Sequence, residues 1–329
     1  MNRLLRVELI RFLSRRAVLV ILALAVAIPV VIGVARILET RPPAPDELAS
    51  AQAQADAEAK QPYIQRNLRQ CIAHPESNLG RPVPDDVEAA CEEMILPQPE
   101  WFAYWERLDL ASEREEGSGV AVVIVLAILM MLAGTTFAGH DWASGSVSNQ
   151  LLFEPRRPRV WGAKAGVVTV LAAAFSALVI TAYWGVLALA AHSRDISLGH
   201  GLLLDCLQSG WRGAGVAGAA ALAGYALTML FRSTVGALGV LLAASVAGGV
   251  VLAVIGIDSV WNPGLNVYAI ILDGASYYVD APCPGGGIQD GSCQVEKILP
   301  IGRALWFLGV GLVLFAGASL ASFQRRDVP

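Results

Sequence analysis

Long apolar runs dominate this sequence and limit the folds that are open to it. Residues 17–38, for example, hold a single charge, Arg36, near their far end. At about 1.5 Å per residue, a helix of this length crosses a hydrocarbon core of ~30 Å. We therefore predict an all-α integral membrane protein with six transmembrane helices, at residues 17–38, 119–138, 165–191, 213–230, 233–257 and 304–322.

The composition agrees with this class. Hydrophobic residues make up 55% of the chain and charged residues only 16%, whereas charged residues make up about 25% of a soluble protein. A cleaved signal peptide is the alternative for the first run. The apolar region of such a peptide is usually about 7–15 residues long, and no clear Ala-x-Ala site follows this run, so we expect a retained span.

Polar segments of very different length separate the six runs. Residues 1–16 carry five arginines among apolar residues, which predicts an amphipathic helix on the cytoplasmic surface. Residues 39–118 favour helices, and we expect them to form a small extracytoplasmic helical cap. Residues 258–303 form an outer loop that contains an apolar piece too short to cross, which could be re-entrant or interfacial. The other segments are a cytoplasmic loop at 139–164, an outer loop at 192–212, a minimal turn at Arg232 and a tail at 323–329.

The distribution of charge predicts the orientation of the spans. Six spans place both termini on one side, and that side carries twelve Lys and Arg against four Asp and Glu. The other side carries twelve basic residues against twenty-four acidic ones. An excess of Lys and Arg in short loops marks the cytoplasmic face, so we expect both termini in the cytoplasm.

The five cysteines agree with this orientation. Cys71 and Cys91 lie on two predicted helices of the cap, and Cys283 and Cys293 lie in a Gly- and Pro-rich outer loop. We predict one disulfide within each pair, because all four lie on the side where an oxidising compartment would be. Cys206 is left over, and it could be a thiol or pair with a second chain.

The loop at 139–164 is too polar for hydrocarbon, yet its pattern is helical. Asp141 suits an N-cap or first-turn position, where a carboxylate favours exposed N–H groups and the positive end of the helix. Pro155 ends the predicted helix, and a basic cluster follows that keeps the loop cytoplasmic. The apolar residues at helical spacing are Trp142, Val147, Leu151 and Leu152, and the basic residues are Arg156, Arg157, Arg159 and Lys164.

Two motifs resemble those of the permeases of type V ABC exporters. The loop reads Asp-x-x-x-Gly-Ser-Val, Leu-Leu-x-x-Pro, then Arg and Lys, and the family's usual form begins Glu-x-x-x-Gly-Thr. Asp141 therefore takes the place of the Glu and Ser146 that of the Thr. The sequence Phe-Gln-Arg-Arg-Asp at 323–327 resembles the family's ending. The resemblance implies a coupling helix that docks on an ATPase, with the coupling residues Asp141, Trp142, Gly145, Ser146, Val147, Leu151, Leu152, Pro155 and Arg159.

The resemblance also implies partners and a location. The chain would be the permease subunit of a bacterial two-component exporter in the plasma membrane. It would pair with a second permease chain, bind two copies of a separate ATPase subunit and contact membrane lipid. None of the three lysines precedes Ser or Thr, so the chain has no Gly-Lys-Ser/Thr phosphate loop. ATP and magnesium would therefore belong to the partner, and the chain itself would not be an enzyme.

Several other kinds of chemistry have little support. The predicted spans contain almost no ionisable residues, which argues against a proton-driven antiporter or a selective ion channel. The four histidines have no metal-ligand spacing, and we identify no catalytic, metal-binding or nucleic-acid-binding residues. The apolar interior favours a hydrophobic or amphipathic cargo.

Two alternatives stay open at this stage. The loop at 139–164 could be an ordinary positively charged cytoplasmic loop that happens to be amphipathic. The whole chain could also be a membrane scaffold or sensor that transports nothing and whose extracytoplasmic cap binds a ligand. A scaffold has no need of a helix that docks on an ATPase, so the surface of this loop separates the two hypotheses.

Overall fold

The computed structural model describes residues 2–79, 84, 86–103, 106–199, 201–255, 259–282 and 292–326. Only the backbone is described at 2–3, 246–247, 249–255, 259, 280–282 and 292–293. The described chain is mainly helical. The helices are α1 Asn2–Leu13, α2 Arg16–Glu39, α3 Pro45–Ala59, α4 Pro62–Ala73, α5 Pro75–Asn78, α6 Val87–Ile95, α7 Pro99–Ala103, α8 Leu110–Glu115, α9 Ser118–Ala143, α10 Ser146–Phe153, α11 Arg157–His192, α12 Leu202–Phe231, α13 Thr234–Ile255, α14 Pro263–Leu272 and α15 Ile301–Arg325.

Five helical segments in the described part of the chain are long and apolar enough to cross a membrane. They comprise α2, the segment Leu110–Ala143 that contains α8 and α9, and the helices α11, α12 and α15. The chain is therefore a multi-pass membrane protein. The predicted span at 233–257 coincides with α13, in which Thr234–Ser245 is the apolar stretch with described side chains. A sixth span thus stays a prediction.

The long helices extend beyond the predicted spans. α11 begins at Arg157 rather than near residue 165, and α12 begins at Leu202 rather than at residue 213. Much of the predicted outer loop at 192–212 is therefore helical. Hydropathy marks the part of a helix that suits hydrocarbon, whereas backbone hydrogen bonding continues into the polar turns on either side.

Helix α12 packs closely against α9 and α11 because small residues line their contacts. A Cβ atom added to Gly134 of α9 would lie 2.1 Å from the carbonyl oxygen of Ala221, and one on Gly224 would lie 2.3 Å from that of Met131. Neither position has room for a side chain. Close backbone approach of this kind is how membrane helices gain packing energy without help from water.

A β-hairpin follows α14 and is absent from the all-α prediction. Strand β1 (Ala275–Pro282) pairs antiparallel with β2 (Ser292–Leu299), and Tyr277 lies opposite Lys297. Aromatic and β-branched residues in both segments favour strands. The sequence prediction treats this region as part of one outer loop, because Gly and Pro residues lie between the two segments. The short apolar piece at 265–272 forms most of α14, whose residue Ile270 is buried with Ala275 and Leu299.

Residues Val34–Asp109 form a compact unit of their own. Within it, α3 packs on α7 and α4 packs on α6. Cys71 of α4 and Cys91 of α6 form a disulfide with a Cα–Cα distance of 5.9 Å, which confirms the first predicted pair.

The other cysteine predictions have different outcomes. Cys283 lies outside the described residues, as does the side chain of Cys293, so the second predicted disulfide stays a prediction. Cys206 is a buried thiol that donates to the backbone carbonyl of Leu110 at 3.7 Å. Its burial leaves it poorly placed to pair with a second chain.

Candidate functional site

A sharp turn joins α9 to the short helix α10. Gly145 precedes α10 and has φ +67°, a left-handed conformation that costs glycine little. Glu154, Pro155 and Arg156 separate the end of α10 at Phe153 from the start of α11 at Arg157. Two helix ends and a short helix thus meet where the sequence predicts the coupling loop.

The position of Asp141 differs from the prediction. The sequence predicted an N-cap or first-turn residue of the short helix, but Asp141 lies in the last turn of α9, and Gly145 is the N-cap of α10. The helical hydrogen bonding of α9 continues through the polar residues that follow the predicted span and ends at Ala143. Asp141 still contacts α10, because its carboxylate accepts a hydrogen bond from the Ser146 hydroxyl at 2.7 Å.

Asp141 is buried among cations that come from distant parts of the chain. Its carboxylate forms ion pairs with Lys164 of α11 and with Arg15, which follows α1. Arg11 of α1 lies further away, with its Nη2 atom 3.6 Å from Oδ1 of Asp141. One carboxylate therefore connects α9 to α11 and to the N-terminal segment.

A second buried carboxylate, Glu8 of α1, completes this group. Lys164 Nζ lies 3.2 Å from Glu8 Oε2, and Arg11 Nη1 lies 3.3 Å from Glu8 Oε1. Gln150 of α10 donates its amide to Glu8 and accepts from Arg11 at 3.4 Å. We call Glu8, Arg11, Arg15, Asp141 and Lys164 the ion cluster. Through Gln150 and Ser146, it holds α10 against α1, α9 and α11.

An aromatic ring covers one side of the ion cluster. The Arg15 guanidinium carbon lies 4.6 Å from the centre of the Phe137 ring, and Lys164 Nζ lies 5.3 Å from it. Phe12 meets the same ring edge-on at 5.2 Å. A cation over an aromatic face gains about 0.5–2 kcal/mol, more when water is excluded. Phe137 therefore helps to stabilise two cations in a site with little access to water.

Sequence reasoning missed the ion cluster. It assigned the arginines of α1 to a surface helix and Lys164 to the basic flank of a loop. A local signal did exist, since Glu8, Arg11 and Arg15 follow one another at spacings of three and four and so share one face of a helix. No local signal identifies their partners, because Asp141 and Lys164 lie more than 120 residues further along the chain.

The two motifs of the sequence meet at a second group of contacts. The ring of Trp142 lies edge-on to Phe323, with centres 6.2 Å apart, and Arg232 lies 4.9 Å from the centre of the Trp142 ring. Arg157 Nη1 donates to the carbonyls of Phe323, Gln324 and Arg326 at 3.1, 3.2 and 2.6 Å. We call this last set of bonds the C-terminal clamp, since it holds the end of α15 beside the start of α11.

Helix α10 buries one side and exposes its far end. Val147 is buried, whereas Leu152 is 81% exposed and Phe153 is 91% exposed. The predicted coupling residues therefore separate into two sets: Asp141 and Val147 are buried and Trp142, Ser146 and Leu151 are partly buried, whereas Gly145, Leu152, Pro155 and Arg159 are exposed. Phe153 was not among them, although it is the most exposed apolar residue of the helix.

Within the described ranges, no group of three or more His, Cys, Asp or Glu side chains is placed to hold a metal ion. The site instead links four helices and presents an apolar tip. No protein-family model, no curated protein and no solved structure matches this chain.

Proposed function

We propose that this chain is the permease subunit of an ABC exporter and that a separate ATPase subunit drives it. The exposed pair Leu152 and Phe153 carries the proposal. Large apolar side chains at a helix tip are unfavourable in water and mark a surface that another molecule covers. The pair lies on α10, between two membrane-crossing helices, where the resemblance to type V permeases requires a coupling helix.

The contacts around α10 suit the transmission of force. A displacement of α10 by an ATPase would reach α9 through the Asp141–Ser146 bond and α1 through the Gln150–Glu8 bond. Lys164 would carry it to α11. Packed helices of this kind move as rigid bodies between discrete arrangements, which is what alternating inward- and outward-facing states require.

The remaining parts of the proposal follow from the resemblance to the permeases of type V ABC exporters. Two copies of the chain, each with α13 as a further span, would form the membrane pathway. Two ATPase subunits would bind ATP and magnesium beneath them. The chain's own spans offer mainly apolar and hydroxyl side chains, so the cargo is hydrophobic or amphipathic. The unit Val34–Asp109 would lie outside the cytoplasm.

Recovery of an ATPase subunit with the tagged chain tests the proposal. We expect the parent to co-purify from its native host with a soluble nucleotide-binding subunit, and Leu152→Asp and Phe153→Asp to weaken that recovery at least about tenfold, as loss of a buried apolar contact does. Met94→Asp changes an exposed apolar residue of the unit Val34–Asp109 and is the matched control. Trp142 is unsuitable for this test, because it packs on Phe323.

Failure to recover an ATPase subunit would contradict the proposal. The docking proposal fails if no ATPase accompanies the parent in mild detergent and the folded parent stimulates no ATP hydrolysis by candidate subunits. A non-transporting scaffold or sensor would then be the better hypothesis, and the unit Val34–Asp109 the place to look for a ligand.

A further inference from the structure

A cavity of about 490 Å³ lies between α1 and α10, beside the ion cluster. Leu4, Val7 and Phe153 give it an apolar wall. Arg11 and Ser146 give it polar groups at one place, since both also contact Asp141. The cavity thus combines an apolar wall and one arginine with the polar side chains of Asn149, Gln150 and Glu154, a lining that suits an amphipathic ligand.

The exposed side chains of α1 indicate which environment borders this cavity. Its residues Val7, Ile10 and Leu13 are exposed together with Arg6, whereas Glu8 and Phe12 are buried. An exposed side that combines apolar residues with an arginine suits the interface between lipid and water. Helix α2 begins at Arg16, directly after α1, so α1 lies at the level where the chain enters the membrane. Val7 belongs both to this exposed side and to the cavity wall.

Arg11 is the cation of the ion cluster that can reach an additional anion. Its side chain is 30% exposed, against 2% for Lys164. Its contacts with Glu8, Gln150 and Asp141 are 3.3–3.6 Å long. A guanidinium has five N–H donors and matches phosphate well. Glu154 also lines the cavity and opposes an anion there, which limits the affinity that Arg11 can provide.

We propose that the cavity holds one anionic phospholipid of the cytoplasmic leaflet. An acyl chain lies along Leu4 and Val7, and the phosphate lies at Arg11. Because α10 forms the opposite wall, the bound lipid also sets the spacing between α1 and α10. This proposal requires a membrane protein with α1 at the bilayer surface, and it does not depend on an ATPase partner.

Native mass spectrometry of the full chain, purified without any ATPase, tests the site directly. The chain is titrated with phosphatidylglycerol and with phosphatidylcholine of identical acyl chains. We expect the first retained lipid to show about a fivefold preference for phosphatidylglycerol, which corresponds to the ~1 kcal/mol typical of one basic residue at an anionic membrane.

Four variants locate the preference. Arg11→Gln abolishes it, while Arg11→Lys keeps most of it and serves as the folding control. Val7→Trp fills the cavity and lowers retention of both lipids. If Arg11→Gln does not fold, this variant still tests whether the lipid lies in the cavity. Arg325→Gln removes an exposed arginine elsewhere on the same predicted side and leaves the preference unchanged.

Four outcomes would overturn the proposal. The first is equal retention of the two lipids by the parent, and the second is an equal loss of preference in Arg11→Gln and Arg325→Gln. The third is displacement of the lipid by inorganic phosphate alone, which would indicate a free-anion site. The fourth is unchanged retention of both lipids in Val7→Trp, which would show that the lipid does not lie in this cavity.

Discussion

Lys164 of α11 and Asp141 of α9 form an ion pair in which both side chains are almost fully buried. Lys164 also faces Glu8, so this one ammonium lies between two carboxylates. Removing one partner of a buried pair typically costs about 3–5 kcal/mol. Without Lys164, Arg15 still pairs with Asp141 and Arg11 with Glu8, so we expect the low end of this range. Among the contacts between the loop and the spans, we therefore expect loss of this pair to lower the free energy of unfolding most.

Lys164→Met tests this expectation. We expect its free energy of unfolding, measured by denaturant titration in mild detergent, to fall by about 3 kcal/mol. Lys297→Met changes an exposed lysine of the hairpin and should have almost no effect. In the double variant Asp141→Asn with Lys164→Met, the loss should be less than the sum of the single losses. Additive losses would mean that the two residues do not interact.

The turn between α9 and α10 depends on the conformation of Gly145. A Cβ atom there would meet nothing within 4 Å, so Gly145→Ala should be unfavourable only because φ is +67°. The expected cost is about 1–2 kcal/mol, and Gly145→Asn should lose less. Gly162→Ala is the control, because Gly162 is helical and equally uncrowded. Thermal unfolding of the three variants measures the differences, and a Gly162→Ala loss as large as that of Gly145→Ala would refute the argument.

The C-terminal clamp predicts that Arg157 protects the end of α15. We expect Arg157→Ala to lose about 1–2 kcal/mol of stability through its hydrogen bonds to backbone carbonyls. Proteolysis after residue 322 should become faster at the same time. Arg156→Ala removes an exposed neighbour and should leave the digestion rate unchanged. Equal rates for both variants would show that the clamp does not order this end.

The Cys71–Cys91 disulfide tests both stability and orientation. The bond closes a loop with a sequence separation of 20, and loops of this length gain about 3 kcal/mol from the cross-link. Both cysteines are buried, so a membrane-impermeant reductant should cleave the bond slowly in intact cells, as the unit Val34–Asp109 opens locally. Proteolysis within that unit should then become faster. Cleavage only after the cells are opened would place this unit in the cytoplasm and reverse the predicted topology. The buried thiol of Cys206 should resist maleimide in both cases.

The sequence predicted what depends on local composition. Apolar runs identify membrane-crossing helices because each backbone group must find its partner within the helix once water is absent. The Cys71–Cys91 pair was also predictable, since few cysteines occur and two fall on neighbouring helices. Both inferences need only residues that are close in the chain.

What the sequence could not predict depends on contacts between distant segments. A charged residue near the end of an apolar run was interpreted as the boundary of the helix, which misplaced Asp141. Its true partners, Arg15 and Lys164, become visible only when α1, α9 and α11 pack together. The hairpin was missed for a related reason, since pairing of β1 with β2 is a relation between two segments and not a property of either.

The length of α11 has a geometric consequence. Its 36 residues form one helix that is about 54 Å long at ~1.5 Å per residue, well beyond a ~30 Å hydrocarbon core. Pro158 lies in its first turn, where proline does not bend a helix. Such a helix acts as a lever: a tilt of about 5° about one end shifts the other by ~5 Å, close to one helical pitch. A small push near Lys164 would therefore become a large displacement at the opposite membrane surface, with no hinge in between.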